Sequence, residues 1–170
     1  VLIKLDSPGP VMFRQERVGR FGQPFRIHKF RTMRHEPAGQ GLQITVGADR
    51  RITRVGGFLR ASKLDELPQL LDVWLGDMSL VGPRPHAPST RAAGRPFHEV
   101  VQTYAARHKV KPGITGWARV CGWRGETDTE EKLVKRLEHD LYYIENWSVP
   151  FDIYILIRTV FAVLFPKNAF

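Results

Sequence analysis

Lys63-Leu64-Asp65-Glu66-Leu67-Pro68-Gln69-Leu70-Leu71-Asp72-Val73-Trp74-Leu75-Gly76 places an acidic pair directly before a helix signal. Proline is tolerated only in the first turn of a helix, because deeper in it would remove a hydrogen bond and clash. The spacing therefore predicts a helix over Leu67–Leu75, with Leu67, Leu70, Leu71 and Trp74 on one face and Gly76 as its stop. Asp65 then falls at or near the N-cap, and Glu66 just inside. The positive end of a helix favours an ionised Asp65. A positioned carboxylate can attack phosphorus, and a neighbouring carboxylate suits Mg²⁺. The same pattern also describes an ordinary cap with a first-turn charge, which is the commoner arrangement.

Toward the N-terminus, Ile52–Ala61 reads as a helix despite Gly56-Gly57, and Pro37–Gly47 reads as a loop. Val11–Phe13 and Phe25–Phe30 read as strands around a Gly19–Pro24 turn, a hairpin preceded by the turn Ser7-Pro8-Gly9-Pro10. Toward the C-terminus, Gly82–Pro88 is loop. Pro96–His108 is expected to be a helix, with Phe97, Val100, Val101, Tyr104 and Ala105 as its stripe. Val110–Gly125 mixes turn and strand. A long helix is expected from Asp128 to about Trp147, opened by a capping box of Asp128 and Glu131 and burying Leu133, Leu137, Leu141 and Ile144. A last helix starts near Pro150. These elements define an α+β fold, predominantly helical with a small β-hairpin. It forms a single compact domain over residues 1–170 with an interfacial C-terminal helix.

The 170 residues carry a net charge of +9. Residues 1–60 hold 12 Lys/Arg against 4 Asp/Glu, so nearly all of the excess lies in the first third. That asymmetry calls for an anionic partner: nucleotide, phosphate, lipid headgroup or nucleic acid. A hydrophobic content of 42% excludes a disordered chain. Cys121 is the only cysteine, so no intrachain disulfide forms. The start Val1-Leu2-Ile3 meets Lys4 and Asp6 at once and reads as the tail of a preceding apolar segment, not a signal peptide. Val149–Phe165, interrupted by Asp152 and Arg158, is near the lower length limit for a span and better suits a helix lying in an interface or docked on the domain.

Gly82-Pro83-Arg84-Pro85 pins an arginine between prolines, either as a phosphate clamp or as a rigid turn with a solvated side chain. Arg14, Arg17, Arg20, Arg26, Lys29, Arg31 and Arg34 alternate with apolar residues, as a polyanion-facing surface or a solvated face would. Trp117, Trp123 and Arg124 lie among glycines and fit a stacking site or core tryptophans between turns. The six histidines lack metal-ligand spacing, and no P-loop or dinucleotide fingerprint is present.

Three long segments, in order, resemble the monotopic bacterial phosphoglycosyl transferases. The first runs from Ser7-Pro8-Gly9-Pro10-Val11 through Arg14-Gln15-Glu16-Arg17-Val18-Gly19 to Lys29-Phe30-Arg31-Thr32-Met33. The second joins Leu64-Asp65-Glu66-Leu67-Pro68-Gln69-Leu70 to Gly76-Asp77-Met78-Ser79-Leu80-Val81-Gly82-Pro83-Arg84-Pro85, and the third is Arg107-His108-Lys109-Val110-Lys111-Pro112-Gly113-Ile114-Thr115-Gly116-Trp117. The resemblance implies transfer of a sugar 1-phosphate from a UDP-sugar to polyprenyl (undecaprenyl) phosphate, with release of UMP. It implies a covalent phosphosugar on Asp65, Mg²⁺ held by Glu66, and phosphate binding by Arg60 and Arg84, with Lys29 and Arg124 as further candidates. It places the protein on the cytoplasmic face of the bacterial inner membrane, with a hydrophobic re-entrant helix just before Ser7. Gly122–Thr129 and Lys167-Asn168-Ala169-Phe170 resemble the larger exopolysaccharide-type members, which use UDP-glucose or UDP-galactose, and UDP-glucose is the donor favoured here. A homodimer is compatible with the sequence. Two competing readings rest on the basic first third: a nucleic-acid-binding module, which no recognised motif supports, and a membrane-surface adaptor without catalysis.

Overall fold

The computed structural model describes residues 1–34, 49–88, 91–92, 95–96, 102–123 and 129–164. Helix predominates, and each sheet has two strands. A short helix α1 (Leu2–Asp6) leads through the Ser7–Pro10 turn into β1 (Met12–Val18). β1 pairs antiparallel with β2 (Pro24–Phe30), in register from Met12 opposite Phe30 to Val18 opposite Pro24. The expected hairpin is therefore present, with a first strand longer than the Val11–Phe13 run.

Seven basic residues on or beside this hairpin do not make one solvated face. Arg31 is buried and donates to the carbonyls of Pro8, Ser7 (2.7 Å) and Ile3 (3.2 Å), tying α1 and its turn to the end of β2. Lys29 and Arg17 turn toward the candidate site described below.

Helix α2 (Arg54–Ala61) matches the expectation for Ile52–Ala61. Its N-cap Thr53 accepts from Gly56 N at 3.0 Å, and the Asp6 carboxylate accepts from Val55 N at 2.8 Å, so two side chains satisfy first-turn donors. Gly56 is required by packing. A Cβ there would lie 1.9 Å from the Thr32 carbonyl oxygen, so only glycine lets α2 press against the strand exit.

Helix α3 spans Gln69–Trp74 and is preceded by a separate 3₁₀ turn, Leu64–Glu66. Pro68 sits just before α3, and Gly76 ends it at φ 89, as the sequence requires. Its orientation is the opposite of the usual amphipathic one. The face with Leu70, Leu71 and Trp74 points outward, with Trp74 83% exposed, while Gln69 and Asp72 are buried. Asp72 Oδ2 accepts from His28 N at 2.9 Å and Oδ1 lies 2.6 Å from His28 Nδ1, so a polar contact holds α3 on β2.

β3 (Ser79–Val81) pairs parallel with β6 (Gly113–Thr115). A Cβ on Gly113 would stand 2.1 Å from Gly82 N, so the two backbones meet only because glycine is there. A small antiparallel pair, β4 (Arg91–Ala92) with β5 (Arg95–Pro96), precedes a 3₁₀ helix over Gln102–Lys109. The expected helix from Pro96 to His108 is thus corrected at both ends: Pro96 belongs to a strand, and the later part winds as 3₁₀. Phe97, Val100 and Val101 of its stripe lie outside the described residues, as does the Pro37–Gly47 loop.

Helices α4 (Trp117–Val120), α5 (Glu130–Glu145) and α6 (Val149–Leu164) complete the chain. Thr129, not Asp128, is the N-cap of α5, accepting from Lys132 N at 3.3 Å; Asp128 lies outside the described residues. The expected stripe holds: Leu133 and Leu137 are buried with Tyr104, and Leu141 packs against them. A second core joins Val81, Val120, Tyr143 and Ile155, flanked by Trp117, Ile144, Phe151 and Leu156. α6 is therefore docked on the domain, while Ile153, Ile157, Val160 and Phe161 on its other side are exposed.

Candidate active site

The chain leaves α2 through Ser62 and reverses at Lys63, whose left-handed φ of 60 is a conformation most residues avoid. The reversal throws Asp65 and Glu66 into the 3₁₀ turn, with Glu66 N bonded to the Lys63 carbonyl at 3.3 Å. Neither acid caps α3, whose cap position is Pro68 with no side-chain hydrogen bond. The expected cap role is corrected accordingly, and the pair is fixed by a strained turn instead.

Glu66 is buried, and its carboxylate faces three cations from three parts of the fold. Lys29 Nζ of β2 lies 3.0 Å from Oε1. Arg84 of the Gly-Pro-Arg-Pro loop reaches both oxygens, through Nη2 to Oε1 and through Nη1 to Oε2 at 3.3 Å. Arg119 Nη1 of α4 is 3.3 Å from Oε2 and also donates to the Ile114 carbonyl at 3.1 Å. Burial pushes the Glu66 carboxyl up, but Arg84, Lys29 and Arg119 outweigh it and hold it far below the ordinary carboxylate range.

Asp65 differs from its neighbour. Burial, then the adjacent Glu66 charge, pushes its carboxyl above the ordinary value, and Lys29, Arg60 and Lys63 pull it back. Two adjacent carboxyls driven in opposite directions have separate tasks available to them. Arg60 on α2 is set by its Nε donating to Thr32 Oγ1 at 2.8 Å. Arg17, half-buried, is drawn down to about 10 by burial and by the nearby Arg84.

Of the residues named from sequence, Asp65, Glu66, Lys29, Arg60 and Arg84 come together, and Arg124 lies outside the described residues. Arg119 was missed, and Arg17 was named only within the basic stretch Arg14–Arg34. Arg119 carries one usable signal, its place two residues beyond the Lys-Pro-Gly-Ile-Thr-Gly-Trp run. Trp117 packs among Tyr142, Phe151 and Tyr154 as a core residue.

A carboxylate offers about four acceptor lone pairs, and four N–H contacts from Lys29, Arg84 and Arg119 already take those of Glu66. In this arrangement Glu66 does not fit a metal ion. Protein cations neutralise it instead. Among the described residues no three His, Cys, Asp or Glu side chains gather to hold a metal.

The half-buried Asp65 carboxyl thus stands beside a Glu66 ringed by cations. The chain belongs to the bacterial sugar transferase family, whose model matches residues 1–166. A UDP-glucose:undecaprenyl-phosphate glucose-1-phosphate transferase of Escherichia coli is 51% identical over 99% of this chain and 36% of its own length. The exopolysaccharide production protein PSS of Rhizobium leguminosarum is 48% identical over 96% of this chain and 82% of its own length. A UDP-N-acetylgalactosamine-undecaprenyl-phosphate N-acetylgalactosaminephosphotransferase of Aeromonas hydrophila is 46% identical over 96% of this chain and 38% of its own length. The chain thus spans about a third of the length of several of these relatives.

Proposed function

We propose that this chain is the catalytic domain of a phosphoglycosyl transferase that moves a hexose 1-phosphate, glucose by preference, from a UDP-sugar to polyprenyl phosphate. The observation that carries the reading is the Asp65 carboxylate, to which no side chain among the described residues donates a hydrogen bond, beside a Glu66 that gathers Lys29, Arg84 and Arg119. The names of the relatives favour glucose.

In this reading an Asp65 oxygen attacks the sugar-bearing phosphorus, and the bond to the bridging oxygen breaks. UMP leaves with that electron pair. An oxygen of polyprenyl phosphate then attacks the same phosphorus and releases the Asp65 carboxylate, so each step forms one bond and breaks one. Charge spreads over the phosphoryl oxygens as the bonds change, and Lys29, Arg60, Arg84 and Arg119 supply the offsetting field. Burial and the Glu66 charge raise the energy of ionised Asp65, which makes it the better nucleophile.

The acceptor is a lipid, and the surface near Asp65 suits one. Leu64, Leu67, Leu70, Leu71, Trp74 and Leu75 expose apolar area on the turn and on α3, with Phe58 on the adjoining α2 and Leu2 and Leu5 on α1. No helix among the described residues is long and apolar enough to cross a membrane. The reading therefore has this face resting on a bilayer, on the cytoplasmic side where UDP-sugars are supplied.

The test is UMP release by the full-length protein with undecaprenyl phosphate and a panel of UDP-glucose, UDP-galactose and UDP-N-acetylgalactosamine. Mass spectrometry should find a phosphohexose on the peptide containing Asp65. Undiminished turnover by Asp65→Asn would remove Asp65 as nucleophile.

A further inference from the structure

Behind Arg84 lies a buried polar cluster to which the proposed chemistry assigns no task. Arg107 and Asp140 are both buried, with side chains only 4% and 3% exposed. Arg107 Nη2 stands 2.7 Å from Asp140 Oδ2 and donates to the Arg84 carbonyl at 2.8 Å. Its Nη1 donates to the Tyr104 hydroxyl, which in turn lies 3.1 Å from His86 Nδ1. His86 stacks on His108, and Tyr104 packs edge-on against both rings. Burial and the Arg107 charge push His86 down to about 3 and His108 to about 4. Both imidazoles are therefore neutral near pH 7, and the acid facing Arg107 is Asp140, which burial pushes up and Arg107 and Arg136 pull down.

We propose that Arg107, held by Asp140 and Tyr104, is a positioning residue that aims Arg84 at substrate phosphate. The inference rests on the reading of Arg84 as a phosphate-binding arginine. The Gly82–His86 segment is gripped at four places, the first being Gly82 N, which donates to Thr115 O at 2.8 Å. Pro83 O accepts from Gly113 N at 3.0 Å, Arg84 O accepts from Arg107, and His86 O accepts from Val18 N at 3.0 Å. The flanking prolines fix φ and have no N–H to add a further tie. Arg84 is thus anchored by its backbone while its side chain, 42% exposed, extends to Glu66. A guanidinium is suited to the buried end because its planar fork can hold Asp140, Tyr104 and a carbonyl together, and a lysine ammonium cannot match that geometry. Through this contact the long helix α5, which carries Asp140, sets the position of a loop it does not itself provide.

A double-mutant cycle separates positioning from general stability. Arg107→Lys is combined with Arg84→Ala in the full-length protein, and three quantities are measured: kcat/KM for UMP release, inorganic pyrophosphate affinity by calorimetry, and melting temperature. On the native Arg84 background, Arg107→Lys should weaken pyrophosphate binding and kcat/KM about tenfold each; on Arg84→Ala it should change either less than about twofold. Melting temperature should fall by the same amount on both backgrounds. Equal losses of affinity on both backgrounds would overturn the proposal, as would failure of the native protein to bind pyrophosphate. Should Arg107→Lys not fold, Tyr104→Phe replaces it in the same cycle, with the same pattern expected at smaller size. Absence of UMP release with the pyrophosphate coupling intact would sink the proposed reaction and leave the positioning role standing.

Discussion

The guanidinium of Arg84 bridges both oxygens of the Glu66 carboxylate, and that contact organises the site. Glu66 takes ion pairs from Lys29, Arg84 and Arg119, with Asp65 a second negative charge felt by Lys29 and Arg84, so the Glu66 charge is central to letting three cations share one place. Glu66→Gln should leave them facing one another. We expect it to lower stability at pH 7 by about 1–3 kcal/mol, a figure discounted for the partly exposed Arg84 head, in chemical denaturation. The pH dependence has a definite sign. A carboxyl whose folded pKa lies below its unfolded value of 4.5 contributes stability that is fully present above that value. The difference between wild type and Glu66→Gln should therefore shrink as pH falls below about 4.5.

Asp65 moves the opposite way, and its shift is read in rate. Its carboxyl lies above the ordinary 3.8, and the nucleophilic role proposed for it requires the ionised form. The acidic limb of kcat/KM for UMP release should thus fall at a pH higher than an ordinary aspartate would give. Lys29 is the largest single influence pulling Asp65 back down. Lys29→Met should shift that limb further upward while lowering the plateau about tenfold or more, as expected when one charge near a phosphoryl transfer is lost. A limb that stays in place would mean that another group controls it.

The crowding of Glu66 makes a prediction about metal. Since Lys29, Arg84 and Arg119 take the Glu66 lone pairs, Mg²⁺ at Glu66 requires one of them to leave first. Without nucleotide, the native protein should bind Mn²⁺, used as a paramagnetic probe, weakly. Arg84→Met should tighten that binding about tenfold by freeing an acceptor, the order expected for one competing charge-assisted contact. Equal affinities in water-proton relaxation titrations would show that the metal, if held, sits elsewhere.

Much of this was legible from residue order, and the exceptions have physical causes. Turn residues and alternation located the hairpin, and the glycine at 76 ended α3 as read. Asp65, Glu66, Arg60, Arg84 and Lys29 were identified as a set through resemblance, since their contacts span up to 37 positions in sequence. Arg107 stands inside the third resembling segment and Arg119 just beyond it, but neither position shows its role, because what distinguishes each is burial against a distant acid. The orientation of α3 was illegible for another reason. Periodicity tells which residues share a face, but the direction is set by Asp72 finding His28. Thr129 and Asp128 are adjacent cap formers, and only geometry shows which oxygen meets the Lys132 N–H.

Two neighbouring glycines should respond oppositely to alanine. At Gly56 a Cβ would collide with the Thr32 carbonyl at 1.9 Å, disturbing both the α2 contact and the Thr32 hydroxyl that sets Arg60. At Gly57 the nearest atom is the Ile52 Cγ2 at 4.0 Å, an ordinary contact. Gly57→Ala should stabilise by up to about 1 kcal/mol through helix propensity. Gly56→Ala should destabilise by about 2 kcal/mol or more and reduce turnover. The pair of melting curves decides it, and similar shifts would refute the close approach of α2 to Thr32.

The outward leucines of α3 offer the last test. A helix whose apolar side faces largely away from the core gains little in fold stability from that side. Leu70→Ser with Trp74→Ser should then leave melting temperature nearly unchanged, with each change within about 0.5 kcal/mol. If the face rests on a bilayer, the same variant should lose much of its partitioning onto anionic vesicles, since about 25 cal/mol is lost per Å² of apolar area no longer buried. Turnover with polyprenyl phosphate in vesicles should fall accordingly, while UDP-sugar affinity stays constant because the cations proposed to bind phosphate lie on other elements. Unaltered vesicle binding would assign α3's apolar face to a protein partner, and a large drop in melting temperature would show that Leu70 and Trp74 are packed in the folded protein.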